Sequence, residues 1–214
     1  MKISYFYVKI LKNMAYRDFK LSDLQQKFGI KQDKKRLFQK VIPPVPPSDW
    51  LVQTLERNNL SVPLTTEKAV SEAIILPILS EVLINNQDKI SLFSGETLVG
   101  DKTAGLNGEI DFLFIKQARA LEVYAPVINI TEAKLNQALE KSIAQAAAQM
   151  LGAQLFNHKH NIPIENIYGT VTNGQTWIFL FLENNNLFVD TQQKFSTENL
   201  PELLGAFQLI IDTY

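Results

Sequence analysis

The sequence predicts an α/β protein, with a mixed central β-sheet flanked by helices and a small basic N-terminal extension. Three observations carry this. Residues 108–114 and 127–134 alternate side chains in the period-2 manner of strands. Two more such runs, Ile167–Thr172 and Gln175–Glu183, flank Asn173-Gly174, a strong hairpin signal. Long apolar segments at 66–85, 136–156 and 198–211 read as the covering helices.

The elements follow in chain order. Lys2–Met14 has mixed period and fits either a short strand or a short helix. Phe19–Gly29 offers Ser22 as N-cap, a short amphipathic helix and Gly29 as its stop. Lys31, Lys34, Lys35, Arg36 and Lys40 then form the densest positive cluster in the chain. They are candidate phosphate contacts, although a charge run of this kind also serves as an ordinary solvated face. Pro43-Pro-Val-Pro-Pro47 is a stiff extended linker, so the expected boundary separates residues 1–47 from a main domain at 48–214. Ser48 caps a helix over Asp49–Arg57 whose Trp50, Leu51 and Leu55 would dock on the body.

Thr66 to Asn85 reads as a helix that Pro77 should kink or split. On a wheel set to zero at Glu67, Ile78, Val82, Ile75, Leu79 and Leu83 occupy about 20° to 160°. Glu72 falls at about 140°, inside that apolar sector, and Glu81 at about 320°, outside it. A carboxylate on a core-facing stripe is costly unless it is paired or holds a cation, which singles out Glu72. Lys89–Asp101 should give a strand broken at Gly95 and Gly100, and Gly105 with Asn107-Gly108 should turn the chain into the Asp111 strand. After the hairpin at Asn173-Gly174, the Asn184-Asn-Asn turn leads to Leu187-Phe-Val-Asp and a closing helix with Pro201 in its first turn.

The chemistry concentrates in two strands. In Gly108-Glu-Ile-Asp-Phe, Asp111 faces away from Ile110, Phe112 and Phe114; in Val127-Ile-Asn-Ile-Thr-Glu-Ala-Lys, Glu132 and Lys134 share one side. If the strands pair in register, two carboxylates and an ammonium meet. A hard divalent cation with a water nucleophile needs such a set, because Mg²⁺ takes oxygen ligands and keeps several of its waters.

Asp111 followed about twenty positions later by Glu132-Ala133-Lys134 resembles the signature of the PD-(D/E)XK, or restriction endonuclease-like, nuclease superfamily. Ile110 stands where the family name has proline. The helix after the second strand carries Gln145 and Gln149, one turn apart, and many members place a glutamine there facing the site. The likeness covers roughly residues 66 to 183 and is similar to the nuclease segment of type I restriction subunits. It implies a restriction endonuclease-like core and Mg²⁺ or Mn²⁺ held by Asp111, Glu132 and the Ala133 carbonyl. Glu72, with Glu67 second, would add an acid from the preceding helix. It also implies that Lys134 orients the water or stabilises developing charge, and that Gln145 or Gln149 bonds a metal-bound water or the side chain of Glu132 or Lys134. The products would be a 5′-phosphate and a 3′-hydroxyl.

Composition excludes several classes. With 46% hydrophobic and 20% charged residues over 214 positions the chain is an ordinary globular protein, and no apolar run approaches the roughly 18 residues of a membrane span. The start lacks a secretory h-region, so the cytoplasm is the expected location. No cysteine is present, which removes disulfides, thiol catalysis and cysteine zinc sites. His158 and His160 sit in a polar stretch without an obvious zinc partner. No phosphate loop, Gly-x-Ser-x-Gly or dinucleotide fingerprint occurs. The net charge of −1 hides an asymmetry: residues 1–66 carry 12 Lys+Arg against 5 Asp+Glu, and the remaining 148 carry 9 against 17. A basic arm joined to an acidic body suits a phosphate-contacting segment attached to a metal site. The resemblance implies two functions: a metal-dependent DNase, a homodimer if it cuts both strands and a candidate to work with restriction or repair partners, or a non-cleaving member of the same fold used for binding nucleic acid or protein.

Overall fold

A computed structural model of the chain describes residues 14–38, 41–135 and 139–214, apart from the side chains of 140 and 141. The Lys2–Met14 reading, Lys40 and the expected helix start at Asn136 therefore fall wholly or largely outside the described residues. Eight strands form one mixed sheet: β1 Lys31–Lys34, β2 Ser91–Asp101, β3 Leu106–Ile115, β4 Val127–Ala133, β5 Asn166–Thr172, β6 Thr176–Glu183, β7 Asn186–Val189 and β8 Phe195–Ser196. Their order is β1-β7-β6-β5-β4-β3-β2, with β8 on β6. β1 with β7 and β4 with β5 run parallel; the other pairs are antiparallel.

The helices divide between the two faces. Helix α1 spans Leu21–Phe28, α2 Asp49–Ser61, α4 Leu139–Lys159 and α5 Leu200–Asp212. Between α2 and β2, Glu67–Val70, a π turn at Ser71–Ile75 and Leu76–Asn85 run on as one rod, α3. On one face α1 and α4 pack on Leu98, Leu113, Ile130 and Leu180. On the other, α2, α3 and α5 pack on Phe112, Phe114, Trp177 and Phe179. Both faces are thus covered, which is why the central strands are so uniformly apolar. No helix among the described residues is long and apolar enough to cross a membrane.

Several expectations change in detail. The boundary at Pro43–Pro47 does not divide two cores: Tyr16, Phe19, Leu24 and Ile30 are buried in the same core as α4, and β1 joins the main sheet. Tyr16 anchors this segment by donating its hydroxyl to the Leu98 carbonyl (3.1 Å) where Gly152 of α4 leaves room for the ring. Helix α1 begins one residue before the expected cap Ser22, with the Asp23 carboxylate accepting the Lys20 N–H. Ser48 does cap α2, accepting the Leu51 N–H, but Trp50 is 52% exposed while Leu51 and Leu55 are buried. β2 runs unbroken through Gly95 and Gly100, and Asn107-Gly108 lies inside β3, the turn falling at 102–105. The Asn107 amide instead holds the Met14 carbonyl.

A candidate active site at the end of the β3–β4 pair

The register brings the two strands' acids together. Leu113 pairs with Ile130 and Phe112 with Thr131, so the next residues along, Asp111 and Glu132, stand opposite one another. Glu132 lies against α4 on the side of Ile130, whereas Asp111 borders a cleft lined by Glu67, Ser71 and Glu72 of α3. The Ala133 N–H donates to Asp111 Oδ2 at 2.8 Å, fixing that carboxylate against the end of β4. Glu132 is fully buried. Its Oε2 accepts from Gln149 Nε2 at 2.7 Å, and its Oε1 lies 2.8 Å from Lys134 Nζ. Lys134, just past the strand, is also 3.0 Å from Glu67 Oε1 at the start of α3. Three expected residues, Asp111, Glu132 and Lys134, therefore do converge.

The electrostatics follow from burial. Burial raises the Asp111 carboxyl above its ordinary range; the Ala133 N–H and Lys134 oppose that, and Glu67 and Glu109 add to it. Glu132 is pushed up to about 7 by burial and then by the charge of Asp111, against the pull of Lys134 and Gln149. Burial draws the Lys134 ammonium down, but Glu132 and Glu67 outweigh it and hold it above its usual value. Two adjacent carboxyls that resist joint ionisation beside a firmly protonated amine make a coupled unit.

No protein-family model matches the chain, and no curated protein matches it.

The glutamine that reaches Glu132 is Gln149, not Gln145. Both lie on one side of α4, but Gln145 is about 6 Å nearer the helix start and partly exposed, whereas Gln149 is fully buried over the acid. Glu72 is corrected more sharply. It is exposed, and among the described residues it pairs with Lys68 on its own helix (3.7 Å). The π turn at Ser71–Ile75 explains this, because one extra residue per turn rotates all that follows by about 100°. With that rotation, Val70, Ala73, Ile78, Leu79 and Val82 share a single buried face, Glu72 points away from it and Glu81 turns inward. Glu81 is 3% exposed and receives both the Ser48 N–H (2.7 Å) and hydroxyl (2.8 Å).

An open cleft of ≈ 470 Å³ leads to Asp111, lined by Glu67, Glu72, Ser94, Gly95 and Glu109 among others. The β2–β3 register sets Gly95 opposite Asp111, so no side chain roofs the carboxylate from the neighbouring strand. Glu109, two residues before Asp111, lines the same cleft, a placement that strand alternation from Asp111 would indicate. Asp111 and Glu132 offer oxygen donors suited to a hard divalent cation. The buried Gln149 Oε1, without a hydrogen-bond partner among the described residues, is free to accept from a water carried by such an ion. No group of three or more Asp, Glu or His able to hold a metal forms among the described residues, so the ion would rely on two side chains, the Ala133 carbonyl and water. Lys31, Lys34, Lys35 and Arg36 are all exposed on or just after β1, at the sheet edge beyond β7.

Proposed function

We propose that this chain is a metal-dependent nuclease of the restriction endonuclease-like type, hydrolysing phosphodiester bonds of DNA. The observation that carries the reading is the buried Glu132 held at once by Gln149 and Lys134, with Asp111 bound to the backbone beside it. Asp111 and Glu132 would hold Mg²⁺ or Mn²⁺. The ion, when bound, supplies charge neutralisation at the phosphate and a water of lowered pKa. Lys134 keeps its proton and directs it at the non-bridging oxygens or the attacking water, in a site whose burial strengthens that interaction. Gln149 fixes the Glu132 rotamer and presents its own oxygen to a water. Gly95 leaves the approach to Asp111 open.

A second reading, a non-cleaving nuclease-fold protein that binds nucleic acid or protein, has one observation in its favour. Lys134 is engaged by two carboxylates, which offsets the charge it could offer a phosphate. Nicking of supercoiled plasmid with Mg²⁺ or Mn²⁺ separates the two. Cleavage that is lost in Asp111→Asn supports the nuclease; intact plasmid with either ion leaves the binding role.

A further inference from the structure

The cleft that leads to Asp111 is ill suited to attracting a polyanion. Glu67, Glu72, Glu109 and Asp111 line it against Lys68, with Lys134 already paired to Glu67 and Glu132. Whatever affinity the protein has for a phosphate backbone must be gathered elsewhere. The sheet itself indicates where.

Pairing can be followed strand by strand. Lys34 stands beside Val189, Val189 beside Leu180, Leu180 beside Gly169, and Gly169 beside Ile130. Lys34 is therefore level with a residue only two positions before Glu132. β1, β7, β5 and β4 all point the same way, so Lys34, Lys35 and Arg36 emerge at the end of the sheet where Glu132, Ala133 and Lys134 emerge. Lys31 is level with Asn186 and Glu183, about 10 Å toward the opposite end. The turns that reach this end between the two groups are neutral or basic, with Asn173 and Gln175 after β5 and Gln192, Gln193 and Lys194 after β7, while Glu198 beside Gln175 and Glu202, which accepts from Gln193, are the acids set behind them. Arg36 is steadied there by its Nε–H to Gln193 Oε1 (3.3 Å), and Lys35 lies over the Phe188 ring (4.9 Å).

We infer that Lys34, Lys35 and Arg36, with Lys194, form a remote clamp for the flank of a DNA duplex whose scissile phosphate lies at Asp111 and Glu132. This rests on the nuclease reading above and adds the direction and extent of the bound substrate. Four strand steps separate β1 from β4, about 19 Å at the usual spacing. That span corresponds to about six base pairs of flank. The DNA crosses the end of the sheet rather than running along β1, so Lys31 stands outside the path despite belonging to the same sequence cluster.

The test is duplex binding without divalent metal, followed by fluorescence anisotropy as salt rises. Wild type, Lys34→Ala/Arg36→Ala and Lys31→Ala are compared, with thermal melting as a check on folding. Each lost phosphate contact removes about 0.9 from the slope of log affinity against log salt. The double variant is expected to lose nearly two units of slope, and Lys31→Ala less than half of one. Across a fourfold change in salt the double variant's affinity should vary about tenfold less than that of wild type. An unchanged slope in the double variant, or an equal loss in Lys31→Ala, overturns the clamp. If plasmid cleavage still depends on Asp111 in that case, the nuclease reading stands and the clamp alone fails. A wild type that neither binds duplex nor cuts plasmid removes both.

Discussion

Among the described residues two glutamates, Glu81 and Glu132, lie almost wholly inside the protein, and they are buried in opposite ways. Glu81 meets a backbone N–H and a hydroxyl from one residue, Ser48, and so closes the start of α2 onto α3. Both donors are neutral, and the acid ties the start of α2 to α3. Glu132 instead faces another carboxyl beside an ammonium and an amide donor, and burial together with the Asp111 charge raises its proton affinity against the pull of Lys134 and Gln149. A buried acid that ties the fold together is supplied with donors; one available for chemistry is kept short of them and close to like charge.

The contrast gives its largest effect in exchange experiments. Glu132→Gln should reduce metal-dependent cleavage by about 10²–10³-fold, in the range seen when one electrostatic participant is removed. Glu81→Ala should leave cleavage per folded molecule intact while costing about 1–3 kcal/mol of stability, since the Ser48 donors lose their acceptor in a buried place. Parallel urea melts and plasmid assays read both. Cleavage falling equally in the two variants would erase the distinction drawn between them.

Titration sharpens it. Glu132 binds its proton more tightly folded than unfolded, so the folded state carries the extra proton between about pH 4.5 and 7. Stability contributed by this group is therefore greatest below that window and declines as pH rises through it, by about 3 kcal/mol in total. The difference in unfolding free energy between wild type and Glu132→Gln should carry this slope; a flat difference across the window would mean that Glu132 is ionised as readily inside the protein as outside. Divalent metal reverses the sign by favouring the ionised form, so its affinity should rise over the same range.

A smaller effect is expected one layer out. Gln149→Leu removes the amide donor to Glu132 and should weaken metal binding about 10–100-fold, the usual consequence of losing a group that orients a ligand. Calorimetry with Mn²⁺ measures it. Gln145→Ala should bind as wild type does, because that side chain does not reach the acid.

How much of this was readable from the chain depended on whether local periodicity survived folding. Asp111, Glu132 and Lys134 were legible because the β3–β4 pairing keeps its register from Phe114 with Asn129 to Phe112 with Thr131, beyond the shift at Ile115, and over so short a run the period of 2 brings the strand ends together. Gln145 and Gln149 differ by only about 40° on a helix, so periodicity named a pair and packing chose the member. β1 was invisible as a strand: Lys31–Lys34 is exposed throughout and has no apolar side to alternate, as suits a sheet edge guarded by lysine. Glu72 and Glu81 were exchanged because a wheel assumes one period along the whole rod, and the π turn of α3 breaks that assumption between them. The break sits just before Pro77, which lacks the N–H that a regular ladder would need.

That exchange yields the smallest effect and the most direct check on the helix phase. Glu72 borders the cleft beside Asp111, yet its ionic partner among the described residues is Lys68 at i−4 and both side chains are mostly in solvent. An exposed helical pair of this kind is worth about 0.3–0.5 kcal/mol, so Glu72→Ala should shift stability by no more than that and leave metal affinity and cleavage within about twofold. Glu67→Ala, in contrast, releases Lys134 from one of its two acids and should alter the cleavage rate and its pH profile. The direction reports whether Glu67 holds the amine in place or holds it back. A loss in Glu72→Ala matching that in Glu67→Ala would mean that α3 turns both acids toward the cation, as an unbroken 3.6-residue period requires and the π turn forbids.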